Sequence, residues 1–124
     1  MREGGWARIN DDERPNLHRR VAETIEAVYD DPSACAIPQA QHWHIAGDRQ
    51  KERHYATLAG SLVYDTSSYL EARGYFERAL DLLEPEQITE RADLLWHLGR
   101  IEERLSNFDT SLEYYSQTLQ LAHE

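Results

Sequence analysis

Residues 92–122 read ADLLWHLGRIEERLSNFDTSLEYYSQTLQLA, and residues 54–85 read HYATLAGSLVYDTSSYLEARGYFERALDLLEP. Superposed at a fixed offset of 39 residues, the two stretches agree where packing is decided. Gly60 recurs as Gly99, Tyr69 as Phe108, Tyr75 as Tyr114, Leu80 as Leu119 and Leu82 as Leu121. Ala72 returns as Ser111 and Ala79 as Thr118, so small residues stay small. A repeated helical hairpin is the simplest source of such a pattern. Glycine inside a helix costs ~1 kcal/mol relative to alanine. Two glycines at one register therefore imply close backbone approach. The small residues at 72/111 and 79/118 would complete it, with the aromatics at 69/108 and 76/115 filling the wider gaps.

Working outward, the apolar periodicity predicts about six helices. The first starts after Pro15-Asn16 with Asn16 as N-cap, and carries the stripe Leu17, Val21, Ile25 and Val28. Asp30-Asp31-Pro32-Ser33 ends it, since the residue before a proline resists helical geometry. The second covers about residues 34–46, with Pro38 in its first turn or at a kink. Gly47-Asp48 then turns the chain. The third runs over 49–65, with Tyr55, Leu58, Ala59, Leu62 and Val63 on one side. The fourth, over 69–83, carries Ala72, Phe76, Ala79, Leu80 and Leu83, and Pro85 breaks it. The fifth spans 88–105 with Leu94, Leu95, Leu98 and Ile101 inward. The sixth, over 108–122, holds Leu112, Tyr115, Leu119 and Leu121. No alternating strand pattern stands out, so the class is all-α. Connections of a few residues force antiparallel neighbours. Residues 1–14 read as a tail, with Trp6 and Ile9 its only large apolar side chains. Residues 15–124 read as one domain with repeat hairpins at about 53–86 and 92–124.

The totals narrow the function. With 23 carboxylates against 13 cations the net charge is −10, a field that repels phosphate backbones and argues against nucleic acid. No run approaches the ~20 apolar residues of a membrane span, and the N-terminus has no apolar core of a secretory signal. Cys35 is the single cysteine, which fits a reducing, cytoplasmic setting. No cofactor motif occurs. His42 and His44, two apart on a helix, diverge by ~200° and are poor co-ligands. There is no HExxH motif and no Gly-x-Ser-x-Gly elbow, and Ser67-Ser68 reads as capping. Asp30-Asp31 and Glu102-Glu103 are adjacent acids that diverge rather than pair. Nothing demands an enzyme.

The pattern of Leu95, Leu98-Gly99, Phe108, Ser111, Tyr115 and Thr118, preceded by Ala56, Ala59-Gly60, Tyr69, Ala72, Phe76, Ala79 and Pro85, resembles the tetratricopeptide repeat. That resemblance implies hairpins stacked as a short right-handed solenoid. Three features depart from it. The period is 39 rather than the usual 34 residues, Glu102 stands where a large apolar residue is usual, and Ser111 and Thr118 replace alanine. Leu17-His18-Arg19-Arg20-Val21-Ala22-Glu23 and His42-Trp43-His44-Ile45-Ala46-Gly47-Asp48 resemble the lead-in to the tetratricopeptide-like region of bacterial STAND-type signal-transduction ATPases. In those proteins, linked to nucleotide cyclases or to LuxR-type regulators, that region follows the nucleotide-binding domain. The resemblance implies a sensor or scaffold segment. It does not carry ATP hydrolysis over, because no phosphate loop is present.

In tetratricopeptide proteins the first helix of each hairpin lines a concave groove. Trp96, Arg100, Glu103 and Arg104 resemble groove-facing positions, matched one repeat earlier by Thr57, Ser61, Tyr64 and Asp65. Trp and Arg are favoured at binding hot spots. The alternative is that Trp96 covers a neighbouring helix and the arginines pair with Glu102, Glu103 or Asp93. The expected partner is a protein or peptide segment. A second hypothesis is a homodimer formed through Leu112, Tyr114, Leu119 and Leu121, which no later helix of this chain would cover. An all-α enzyme is the weakest reading.

Overall fold

The computed structural model describes residues 13–122. Their order is α1 (Arg14–Val28), a 3₁₀ turn (Pro32–Cys35), α2 (Ala36–Ala46), α3 (Arg49–Asp65), α4 (Tyr69–Asp81), α5 (Ile88–Arg104) and α6 (Phe108–Ala122). Among the described residues there is no strand, and each helix packs chiefly on its neighbours in the chain. The fold is an all-α helical-repeat solenoid. No described helix is long and apolar enough to cross a membrane. The tail expected over residues 1–14, with Trp6 and Ile9, lies almost wholly outside the described residues.

Three helices end in the same way. Gly47, Ser67 and Ser106 have φ of 81°, 63° and 64°. At each, the next residue's N–H reaches back to the carbonyl five residues earlier: Asp48 to Trp43, Ser68 to Val63 and Asn107 to Glu102. This is the Schellman stop. Ser67 and Ser106 obey the 39-residue offset, so the turn repeats along with the core. Ser67 thus belongs to the backbone C-cap of α3, so the capping reading of Ser67-Ser68 holds for the turn but not for a side-chain bond. Ser68 precedes α4 without a side-chain cap bond. Asp48, by contrast, does cap α3, accepting from the Lys51 N–H at 3.0 Å. At the start of α1 the predicted Asn16 cap is not used. Glu13 holds that place without a side-chain cap bond, and Pro15 sits in the first turn.

The glycines do more than let backbones approach. A Cβ added at Gly60 would lie 3.0 Å from the Phe76 ring, and one at Gly99 would lie 2.5 Å from Cε1 of Tyr115. The aromatic at 76/115 therefore stands directly on the glycine rather than in a wider gap. Around the first of these contacts, Ala56, Val63, Ala72, Phe76, Ala79, Leu94, Leu98 and Ile101 form one buried cluster. His97 stacks on Phe76 with ring centroids 4.9 Å apart and planes within 6°. A second cluster joins Ala22 of α1, Ala40 and Trp43 of α2, and Tyr55 and Ala59 of α3.

Here α1 departs from its predicted stripe: Val21 and Val28 are exposed, and the buried residue is Ala22. The Ala22 carbonyl accepts from Gln39 Nε2 at 3.0 Å, a close helix approach that suits alanine better than valine. On α3, Leu62 likewise faces solvent.

Two buried carboxylates tie the helices together. Glu52 accepts from Arg78 Nε at 2.7 Å and Nη2 at 3.2 Å, and meets His44 at 3.3 Å, so it joins α2, α3 and α4. Burial pushes its carboxyl up, but hydrogen bonds and charge from Arg78 and His44 outweigh that and hold it below the ordinary value. Glu102 occupies the place of Val63 one repeat on. It accepts from Arg73 of α4 at 3.2 Å and from Asn107 at 2.8 Å, which explains the departure from an apolar residue.

Substitutions at two glycines should move in opposite directions. Gly74 lies inside α4 with nothing within 4 Å of an added Cβ, so Gly74→Ala should raise stability by about 1 kcal/mol in urea unfolding. Gly99→Ala, which displaces the Tyr115 ring, should lower it by about 1–3 kcal/mol. Acid should destabilise the fold in two steps. Burial holds His97 below 6.5 against the pull of Asp93, so the unfolded chain takes its proton first and stability falls as pH drops below 6.5. Glu52, held below 4.5, contributes stability above that value that is lost as pH falls through its folded value. His97→Phe should shrink the upper step of the urea midpoint against pH, which His42 and His54 share, and Glu52→Gln the lower, which Glu26 shares.

Candidate partner-binding groove

The groove lies where Tyr64 near the end of α3 meets Arg100 and Arg104 of α5. Tyr64, Arg100, Glu103 and Arg104 line a cavity of about 380 Å³. The Arg100 guanidinium sits 4.7 Å from the Tyr64 ring centroid and 4.7 Å from that of Trp96. Both distances lie within cation–π range. Trp96 is 44% exposed at the rim and tilts against His97. Arg104 Nε donates to the Tyr64 hydroxyl at 3.4 Å. That contact, with the charge of nearby tyrosines, holds the guanidinium even further above its ordinary range.

Among the described residues no acid lies within ion-pair distance of these arginines, although the charge of Glu103 in the same cavity acts on Arg104. Glu102 holds Arg73 and Asn107, Glu103 accepts from the Tyr115 hydroxyl at 2.9 Å, and Asp93 pairs with His97 at 3.6 Å. The pairing of Arg100 and Arg104 with Glu102, Glu103 or Asp93 does not occur. Neither arginine has an ion-pair partner among the described residues. Burial and the bond to Glu103 push the Tyr115 hydroxyl up, which keeps its proton on the oxygen as donor. Thus five of the seven predicted groove residues, Tyr64, Trp96, Arg100, Glu103 and Arg104, come together. Thr57 and Ser61 lie further back along α3, half-buried and outside the cavity wall. Thr57 Oγ1 donates to the Arg53 carbonyl of its own helix.

On α6 the structure divides the predicted self-association residues. Leu112 and Leu119 are 63% and 64% exposed. Tyr114 instead turns inward onto the core, where burial raises its hydroxyl, and Leu121 is half-buried. Phe108, 61% exposed, joins Leu112 and Leu119 on one stripe, which the sequence reading missed. Its repeat mate Tyr69 packs edge-on against Tyr64 at 5.3 Å, whereas Glu103 stands in place of Tyr64 one repeat on. Comparing the two pairs in the sequence would have shown it.

The larger cavity, about 580 Å³ between α2 and α4, was not foreseen. On its wall His44 and Arg78 both meet Glu52, and Glu71 lines it as well. The two motifs of the lead-in explain each other. His18 meets His42 with Nδ1 atoms 2.9 Å apart, while Arg19 lies 5.7 Å above the Trp43 ring and 3.7 Å from Asp48. Burial and then His18 keep the His42 ring below its ordinary value. Among the described residues, no three His, Cys, Asp or Glu side chains converge on a metal-sized site. No protein-family model matches the chain, and neither does any curated protein.

The stacking is open to a solution test. Iodide is drawn to cations, so Arg100→Gln should reduce iodide quenching of Trp96 fluorescence while acrylamide quenching stays as it was. Equal loss of both would mean that the substitution buries Trp96 instead.

Proposed function

We propose that this chain is a non-catalytic helical-repeat module whose α3–α5 groove holds an extended or helical segment of another protein or of a larger polypeptide. One observation carries the reading. Arg100 is fixed between two aromatic rings, beside Arg104, with no carboxylate bound to either. A pre-positioned guanidinium loses little conformational freedom when a partner arrives, and the rings beside it supply apolar area. Trp, Tyr and Arg together are the side chains from which hot spots are made. Resemblance of the two lead-in motifs to signal-transduction ATPases supports a sensor or scaffold role in such a protein.

Placing a photo-crosslinking residue at Ser61 should trap this partner in cells. The Trp96→Ala, Arg100→Ala double variant should lose it while keeping its unfolding midpoint. Retention of every trapped species by a folded double variant would sink the groove reading. A second reading rests on the exposed stripe Phe108, Leu112 and Leu119. If it forms a homodimer, sedimentation should show concentration-dependent association that Leu112→Glu with Leu119→Glu abolishes; a monomer at every concentration rejects it.

A further inference from the structure

The cleft of about 580 Å³ between α2 and α4 contains a helix glycine that packing leaves unexplained. Gly60 and Gly99 each carry an aromatic ring, Phe76 and Tyr115. Gly74, inside α4, has nothing within 4 Å of an added Cβ. Glycine inside a helix is destabilising relative to alanine. The repeat does not ask for one at this position either, since the mate of Gly74 one repeat on is Glu113. In this fold a helix glycine is a seat for a ring, and among the described residues the seat at Gly74 is open.

The surface around that seat says what kind of group fits it. Ile37 of α2 is 41% exposed, and Tyr75 is half-buried, so the wall beside Gly74 is apolar and accessible. His44 and Arg78 in the cleft already meet Glu52. Glu71 is exposed and forms no ion pair among the described residues. It lies three residues before Gly74 on α4, hence on the same face of that helix. An aromatic ring with a cation beside it is the matching chemistry.

The chain carries that chemistry in residues 1–12, as Gly5-Trp6-Ala7-Arg8, outside the described part and leading into α1. The start of α1 lies beside the end of α2: His18 meets His42, and Arg19 Nη2 donates to the Ala46 carbonyl at 3.3 Å. His44, at that same end of α2, lines the cleft. Trp6 stands eight residues before Arg14, a stretch that spans up to about 26 Å. A helix with its side chains is only ~10–12 Å across, so the indole can reach the cleft over the outer side of α2. Residues two apart point the same way in an extended chain, which presents Trp6 and Arg8 together.

We propose that the α2–α4 cleft is the docking site of the chain's own N-terminal segment, with the Trp6 indole on Gly74 against Ile37 and the Arg8 guanidinium on Glu71. The segment thereby joins the start of α1 to α4, helices that pack on different neighbours. The site is separate from the α3–α5 groove and does not depend on it.

A nitroxide at position 4 of the full chain, introduced by Gly4→Cys in a Cys35→Ala background, tests this by NMR. The amides of Gly74 and Gln41 should lose far more intensity than that of Leu112 on the outer face of α6. Adding Trp6→Ala should return the lost intensity. So should Gly74→Gln, read at Gln41, because it suits a helix and fills the seat. Arg8→Glu should return part of it, and Arg8→Glu with Glu71→Arg should remove it again. The proposal is overturned if the label leaves Gly74 and Gln41 as intense as Leu112, or if their loss survives Trp6→Ala. It is also overturned if spin-labelled chains cause the same loss in unlabelled chains mixed with them, since a second copy then fills the cleft.

Discussion

An aromatic ring standing on a helix glycine is the contact on which the rest of the solenoid depends. Phe76 on Gly60 and Tyr115 on Gly99 set how closely the two helices of a hairpin lie. Any Cβ at those glycines would push the ring outward and the partner helix with it. Small residues at 72/111 and 79/118 are consequences of that spacing. The Schellman stops at Ser67 and Ser106 then bring the second helix back at the angle the ring requires. Each hairpin is thus specified twice, once by its core and once by its turn.

Charge ties α3 to α4 within the first hairpin, at Glu52 and Arg78, and α4 to α5 between hairpins, at Arg73 and Glu102. Glu52 and Glu102 are buried carboxylates, each met by an arginine from α4. Such pairs contribute less to stability than to register, since a misplaced helix would leave a buried charge alone. Stacking of His97 on Phe76 adds an aromatic contact across the same α4–α5 boundary. The carboxylates of Asp93, Glu102 and Glu103 bond other side chains, so none forms an ion pair with Arg100 or Arg104, although the charge of Glu103 still acts on Arg104. The groove is therefore a by-product of how the core is stapled, since these arginines are not used in packing between hairpins.

Much of the architecture was legible in the sequence because the repeat constrains it. Bounds of α3 and α6 follow from the periodicity, and the other helices differ by a few residues at their ends. Where the reading failed, two interactions competed. Hydrophobic spacing on α1 favoured Val21 and Val28, but the face that packs on α2 carries Ala22, fully buried with its carbonyl on Gln39, and leaves both valines exposed. Tyr114 and Leu112 both looked available on α6, yet only the rotation of the helix on α5 decides which faces solvent.

The sequence by itself determined the helical class, the repeat and its register, because glycine, small and aromatic residues at a constant offset admit few other packings. It also determined that α5 carries a tryptophan and two arginines off the core stripe. Only the tertiary structure decided that Arg100 lies between Tyr64 and Trp96, residues from two different hairpins. Tertiary packing alone also left Gln39 Oε1 and Trp43 Nε1 buried without hydrogen-bond partners among the described residues. Both arrangements depend on how side chains distant in the chain share hydrogen bonds. Local spacing does not encode that allocation, because each donor goes to whichever acceptor the packed helices bring nearest.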